Sequence, residues 1–100
     1  MTYQVELLAE VEGSLRRLRE VDPAGAQLVA DTMLGLAVDP RPPGVHVLSE
    51  AKGLHRVHAS RPDRATGRTL HYRVMYRIQD EDLVVVVITA AALPRPSRRH

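Results

Sequence analysis

The chain has 100 residues and no cysteine, enough for one domain with one modest core and nothing from which to build disulfides or thiolate metal sites. Its longest strongly apolar run, 83–88, is strand-sized and far short of a membrane-spanning helix, and the opening residues carry no basic segment followed by an apolar one, so a cytoplasmic protein without a secretory signal is expected. The formal net charge of +2 conceals an asymmetry: residues 1–50 hold four Arg and eight acids, whereas residues 51–100 hold ten Arg and Lys and four acids, which favours a polyanionic partner for the second half.

Residues 2–8 read as a first strand, with Tyr3, Val5 and Leu7 alternating against Gln4 and Glu6. The period then changes. Leu8, Val11, Leu15, Leu18 and Asp22 follow helical spacing, which predicts an amphipathic helix over about 9–20, weakened by Gly13. Asp22 and Pro23 are the N-cap and first residue of a second helix, whose inner stripe is Ala26, Val29, Ala30, Met33, Leu34 and Ala37. The proline-rich stretch 39–44 stops it, and the short link between the helices implies an antiparallel hairpin. Residues 45–53 read as a connection, 54–60 as a second strand and 61–68 as a polar loop. A third strand follows over 69–78, then a tight acidic turn at 79–82. The last strand, 83–90, is apolar enough to be central and covered on both faces. Residues 1–92 make a single domain, and 93–100, with two prolines and three arginines, make a frayed basic tail. The order β-α-α-β-β-β segregates helices from strands. That means an α+β fold with an N-terminal strand and a helical hairpin on one face of a small, mainly antiparallel sheet. Phe and Trp are absent, so the core is aliphatic apart from Tyr3, Tyr72 and Tyr76, and no row of exposed rings is available for stacking single-stranded bases.

The third strand has two faces. Leu70, Tyr72, Val74, Tyr76 and Ile78 cover a core, whereas His71, Arg73, Met75 and Arg77 present cations from a rigid element. Guanidinium forks there suit phosphate or carboxylate oxygens. If 61–68 closes a hairpin, Ser60 faces Thr69, Arg56 faces Arg73 and His58 faces His71. Directly opposed like charges destabilise a sheet by up to about 1 kcal/mol, so an anion or an acidic chain is expected between them.

Asp39-Pro40-Arg41-Pro42 closing the helical hairpin, then Gly53-Leu54-His55-Arg56-Val57-His58, then Tyr72-Arg73-Val74-Met75-Tyr76-Arg77-Ile78, an acidic turn and a Val-rich strand form an ordered set. Over about residues 2–91 that set resembles the RelE/ParE superfamily of bacterial type II toxins. The resemblance implies a RelE-like fold and a toxin held by a cognate acidic antitoxin. In the ribosome-dependent ribonucleases of that family it further implies cleavage of messenger RNA on the ribosome, without metal or cofactor. On that template Arg56, His58 and Arg73 are catalytic: the arginines bind the phosphate, and His58 or His71 exchanges protons. Lys52, Arg61, Arg64, Arg68, His71, Arg77 and Arg95 are RNA- or phosphate-binding. The family's ribonucleases carry an arginine after the last strand and a tyrosine near the C-terminus, where this chain has Leu93 and Arg99. The resemblance therefore also admits a ParE-like inhibitor of DNA gyrase, or a member that only binds its antitoxin.

Overall fold

The computed structural model describes residues 2–94. Its elements are β1 (Gln4–Leu7), α1 (Ala9–Val21), α2 (Pro23–Gly35), β2 (His46–Ser49), β3 (Leu54–Asp63), β4 (Arg68–Gln79), a single 3-10 turn (Asp80–Asp82) and β5 (Val84–Ala92). The strands form one sheet in the order β1-β5-β4-β3-β2, parallel only between β1 and β5. Both helices lie on one face, and no helix among the described residues is long and apolar enough to cross a membrane.

The helical hairpin turns on one residue. Asp22 accepts a hydrogen bond from the Gly25 amide at 2.9 Å as the N-cap of α2, with Pro23 at the first helical position. Val11 and Leu15 of α1 pack with Val29, Met33 and Leu36 against Val57, Tyr72, Val74, Tyr76, Ile78, Val85 and Val87. Within the expected inner stripe of α2, Leu34 is 66% exposed, and Leu36, just past the helix, takes the buried place. Two tyrosines do the work of the absent phenylalanines. Buried hydroxyls need partners, and here the Tyr76 hydroxyl donates to the Pro40 carbonyl at 2.7 Å while that of Tyr72 donates to Asp22.

The sheet departs from the sequence reading in several places. The connection 45–53 contains β2, a fifth strand at the sheet edge, whose His46, Val47 and Leu48 side chains are all exposed. Half of the expected loop 61–68 is strand, and the turn is confined to 64–67. Asp63 organises that turn, accepting from the Ala65 amide at 3.2 Å and the Thr66 hydroxyl at 2.8 Å, and Gly67 supplies a φ of +70°. Because the hairpin is longer, its register differs by two residues: Arg56 faces Met75, His58 faces Arg73 and Ser60 faces His71. A two-residue shift preserves which side chains share a face. β5 is interior but covered on one face only, with Val85 and Val87 buried and Val84, Val86 and Ile88 partly open. At the start of the expected tail, the Leu93 amide still donates to the His71 carbonyl at 2.8 Å, and residues 95–100 lie outside the described residues.

Candidate functional site

The face of the sheet opposite the helices carries Arg56, His58 and Ser60 from β3, and His71, Arg73 and Met75 from β4. The register places Arg73 beside His58, with Arg56 one pair further along against Met75. On its other side Arg73 meets Ala91 of β5, and Met75 meets Thr89, so small side chains border the guanidinium. β2 adds His46, directly opposite Arg56. The rings of His46 and His58 meet edge to face, with centroids 5.8 Å apart and planes at 81°. These positions bring together two guanidiniums and three imidazoles and include no carboxylate.

The electrostatics follow from that composition. Partial desolvation lowers the pKa of His58, an exposed residue, and the neighbouring Arg56, His46, Arg73 and His71 lower it further, which favours its neutral form. The Nε–H of Arg56 is buried and has no hydrogen-bond partner among the described residues. An unpaired buried donor on a cationic side chain favours an acceptor that brings negative charge.

Of the residues singled out from the sequence, Arg56, His58, His71 and Arg73 converge here. Arg77 is further along β4, opposite Leu54 and Val86. Arg77 and Lys52 line a cleft of about 610 Å³ at the β2–β3 turn, together with Arg41, Glu50, Asp80, Glu81 and Asp82. Its four carboxylates offset Arg41, Lys52, Arg77 and His55, so this cleft does not extend the cationic surface. Arg64 and Arg68 lie at the tip of the β3–β4 hairpin, Arg68 about 17 Å along the strand from Arg73 at ~3.4 Å per residue. Arg61 is on the other face. Because β3 continues through Asp63, strand alternation turns Arg61 towards the helices, where it pairs with Asp22 at 2.5 Å and donates to the Tyr72 hydroxyl at 3.1 Å. Arg95 and Arg99 lie outside the described residues, and Leu93 continues the β4 pairing. Sequence reasoning missed His46. The available signal was the pair Gly53 and Arg56: a turn at the glycine folds residue 46 back against residue 56.

The architecture is that of the RelE toxins. The structure matches the isolated E. coli RelE toxin with a TM-score of 0.66 at 18% identity, covering 94% of this chain and 87% of that one. It also matches a chain of the Mycobacterium tuberculosis RelBE2 toxin–antitoxin complex (TM-score 0.65, 22% identity, 93% of this chain and 100% of that one). A third match is to the archaeal RelE–RelB complex from Pyrococcus horikoshii (TM-score 0.65, 20% identity, 92% and 96%). No protein-family model and no curated protein sequence matches the chain.

Proposed function

We propose that this protein is the toxin of a toxin–antitoxin pair and cuts messenger RNA on the ribosome by phosphoryl transfer to the 2′-hydroxyl. The observation that carries the reading is the grouping of Arg56, His58 and Arg73 on paired strands of the open face, away from any carboxylate of those strands. The RelE fold supports it, since RelE and the RelE–RelB complexes are a toxin and its antitoxin assemblies.

In this reaction the 2′-oxygen attacks the adjacent phosphorus and passes its proton to neutral His58. Arg56 and Arg73 hold the non-bridging oxygens, and their charge stabilises the phosphorane as negative charge gathers on it. The bond from phosphorus to the 5′-oxygen then breaks, that oxygen takes up a proton, and the products are a 2′,3′-cyclic phosphate and a 5′-hydroxyl end. Arg64 at the hairpin tip and His71 beside Ser60 contact neighbouring phosphates, whereas Arg68, opposite Asp63, shares the Arg61 face of the sheet. Between pulses of expression an acidic antitoxin covers the cationic face.

The test is expression of the protein alone in a bacterial host, followed by primer extension on a translated and an untranslated message. Growth arrest with breaks confined to the translated message supports the reading. Arrest with intact messages and a DNA damage response would replace it with gyrase inhibition, and harmless expression with retained antitoxin binding would replace it with a binding-only role.

A further inference from the structure

Resting on the ribonuclease reading, the geometry points to His46 as a further catalytic residue: with His58 it forms a two-imidazole acid–base pair in which His46 protonates the 5′-oxygen as that oxygen leaves. In an in-line displacement the entering and leaving oxygens are on opposite sides of phosphorus, so base and acid must be separate groups approaching from different directions. His58 and His46 come from neighbouring strands, and the 81° between their rings directs them differently. Their centroids are 5.8 Å apart, and His46 is exposed on the edge strand, so its side chain has room to swing outward and admit a phosphate between the rings. The phosphate is brought there by Arg56, which is directly opposite His46 and whose buried Nε–H has no partner among the described residues, and by Arg73, which is directly opposite His58.

The division of labour follows from the surroundings. His58 is exposed and flanked by Arg56 on its own strand, His46 on β2, and His71 and Arg73 on β4; partial desolvation and these charges lower its pKa and favour the form that can accept a proton. His46 faces Arg56 and His58 on one side only, because no strand among the described residues pairs with the outer edge of β2. A phosphorane seated between the rings favours the protonated form of whichever imidazole is nearest the leaving oxygen. The step balances without any other reactant: one proton leaves the 2′-hydroxyl for His58, one passes from His46 to the 5′-oxygen, and solvent exchange resets the pair.

The experiment measures single-turnover cleavage on programmed ribosomes for wild type, His46→Ala and His58→Ala. Each is given a message with the ordinary linkage at the cleavage site and one in which sulfur replaces the 5′-bridging oxygen. A thiolate leaves without being protonated. His46→Ala should slow cleavage of the oxygen linkage about 10²–10⁴-fold yet cut the sulfur linkage within a few-fold of wild type, whereas His58→Ala should be slow on both. Wild-type cleavage of the oxygen linkage by His46→Ala, or equal slowing on both linkages, overturns the assignment and leaves the ribonuclease reading standing. Failure of wild type to cut either message overturns both.

Discussion

Arg61 and Asp22, 39 residues apart in the chain, are joined at 2.5 Å where the β3–β4 hairpin passes the junction of the two helices. The carboxylate also caps α2 through the Gly25 amide and receives the buried Tyr72 hydroxyl, so one side chain links the helix turn, the core and the arm. Gly25 is required there, because a Cβ at that position would run into both the Asp22 carboxylate and the Tyr72 hydroxyl. Arg61, counted from sequence among the RNA contacts, ties the arm to the helices in the structure.

Asp22→Ala should therefore cost about 2–4 kcal/mol in urea unfolding, combining a lost cap with a buried tyrosine hydroxyl left without an acceptor for its proton. Arg61→Ala should cost less, about 1–2 kcal/mol, since Asp22 keeps its bonds to Gly25 and Tyr72. A loss for Asp22→Ala no greater than for Arg61→Ala would show that the ion pair alone matters.

The same carboxylate sets an acid limit on stability. Burial pushes the Asp22 carboxyl up, but the hydrogen bonds from Tyr72, Gly25 and Arg61 outweigh it and hold the pKa below its ordinary value. Hydrogen bonds from Arg41 and Tyr3 likewise hold Asp80 down at about 2. A carboxyl with a depressed folded-state pKa adds stability above its unfolded value, near 4, and that stability is lost as pH falls towards the folded value. Melting temperature should thus decline between about pH 4 and pH 2. Asp22→Asn, which retains an acceptor for the cap, should show a shallower decline; an unchanged slope would assign the acid sensitivity elsewhere.

Arg73→Ala should abolish most of the growth arrest while leaving stability within about ±0.5 kcal/mol, because Arg73 is on the open face and anchors no core group. Parallel loss of toxicity and melting temperature would show a structural role instead.

How much of this was legible in the sequence depended on burial. The helices announced themselves through the 3–4 spacing of Val11, Leu15 and Leu18 and through Asp22-Pro23, and β4 through the alternation of Tyr72, Val74 and Tyr76. β2 gave no signal because its side chains face solvent, so no apolar period marks it, and His46 was missed with it. The polar run Arg61-Pro62-Asp63 has the composition of a loop, although it continues a strand where β3, beyond its short pairing with β2, is an edge that tolerates proline. Apolar alternation determined the parity of the hairpin but not its register, which the turn at 64–67 sets. The face assignments of Arg56, His58 and Arg73 consequently survived, while the opposition of Arg56 to Arg73 did not.

Gly53→Ala should disturb the site from a distance. Gly53 sits at φ +66°, and a Cβ there would press on the Ile78 carbonyl, whose residue donates its amide to the Gly53 carbonyl at 2.8 Å. The substitution has to move the β2–β3 turn, at a cost of about 1–3 kcal/mol for backbone strain. Since β2 carries His46, cleavage should fall further than the remaining folded fraction explains, measured as rate per folded molecule. A rate that simply tracks the folded fraction would show that β2 placement is irrelevant to the chemistry.

The cognate antitoxin should be an acidic segment, disordered when free, that folds over the open face. Arg56 and Arg73 there have no carboxylate among their strand neighbours, and a free cationic surface binds RNA without selectivity, so an inhibitor has to compete with phosphates. Glu and Asp side chains do this through charge-assisted hydrogen bonds to guanidinium forks. The same face offers apolar contact, because Leu8, Val86 and Ile88 form a shallow groove with Arg77 and Gln79, beside the cations. An amphipathic acidic chain can satisfy both halves, and folding on binding lets a short segment cover a wide surface at the expense of ordering entropy. Affinity should weaken as salt rises, though less steeply than RNA binding, because the apolar contact is insensitive to screening. Titration of antitoxin against wild type and an Arg56→Glu/Arg73→Glu double variant should show a loss of at least about 100-fold, the scale of two charge-assisted contacts at 1.5–3 kcal/mol each. Val86→Ala alone should weaken binding without changing its salt slope. Equal affinity for wild type and the double variant would mean that the antitoxin acts away from the cationic face and inhibits at a distance.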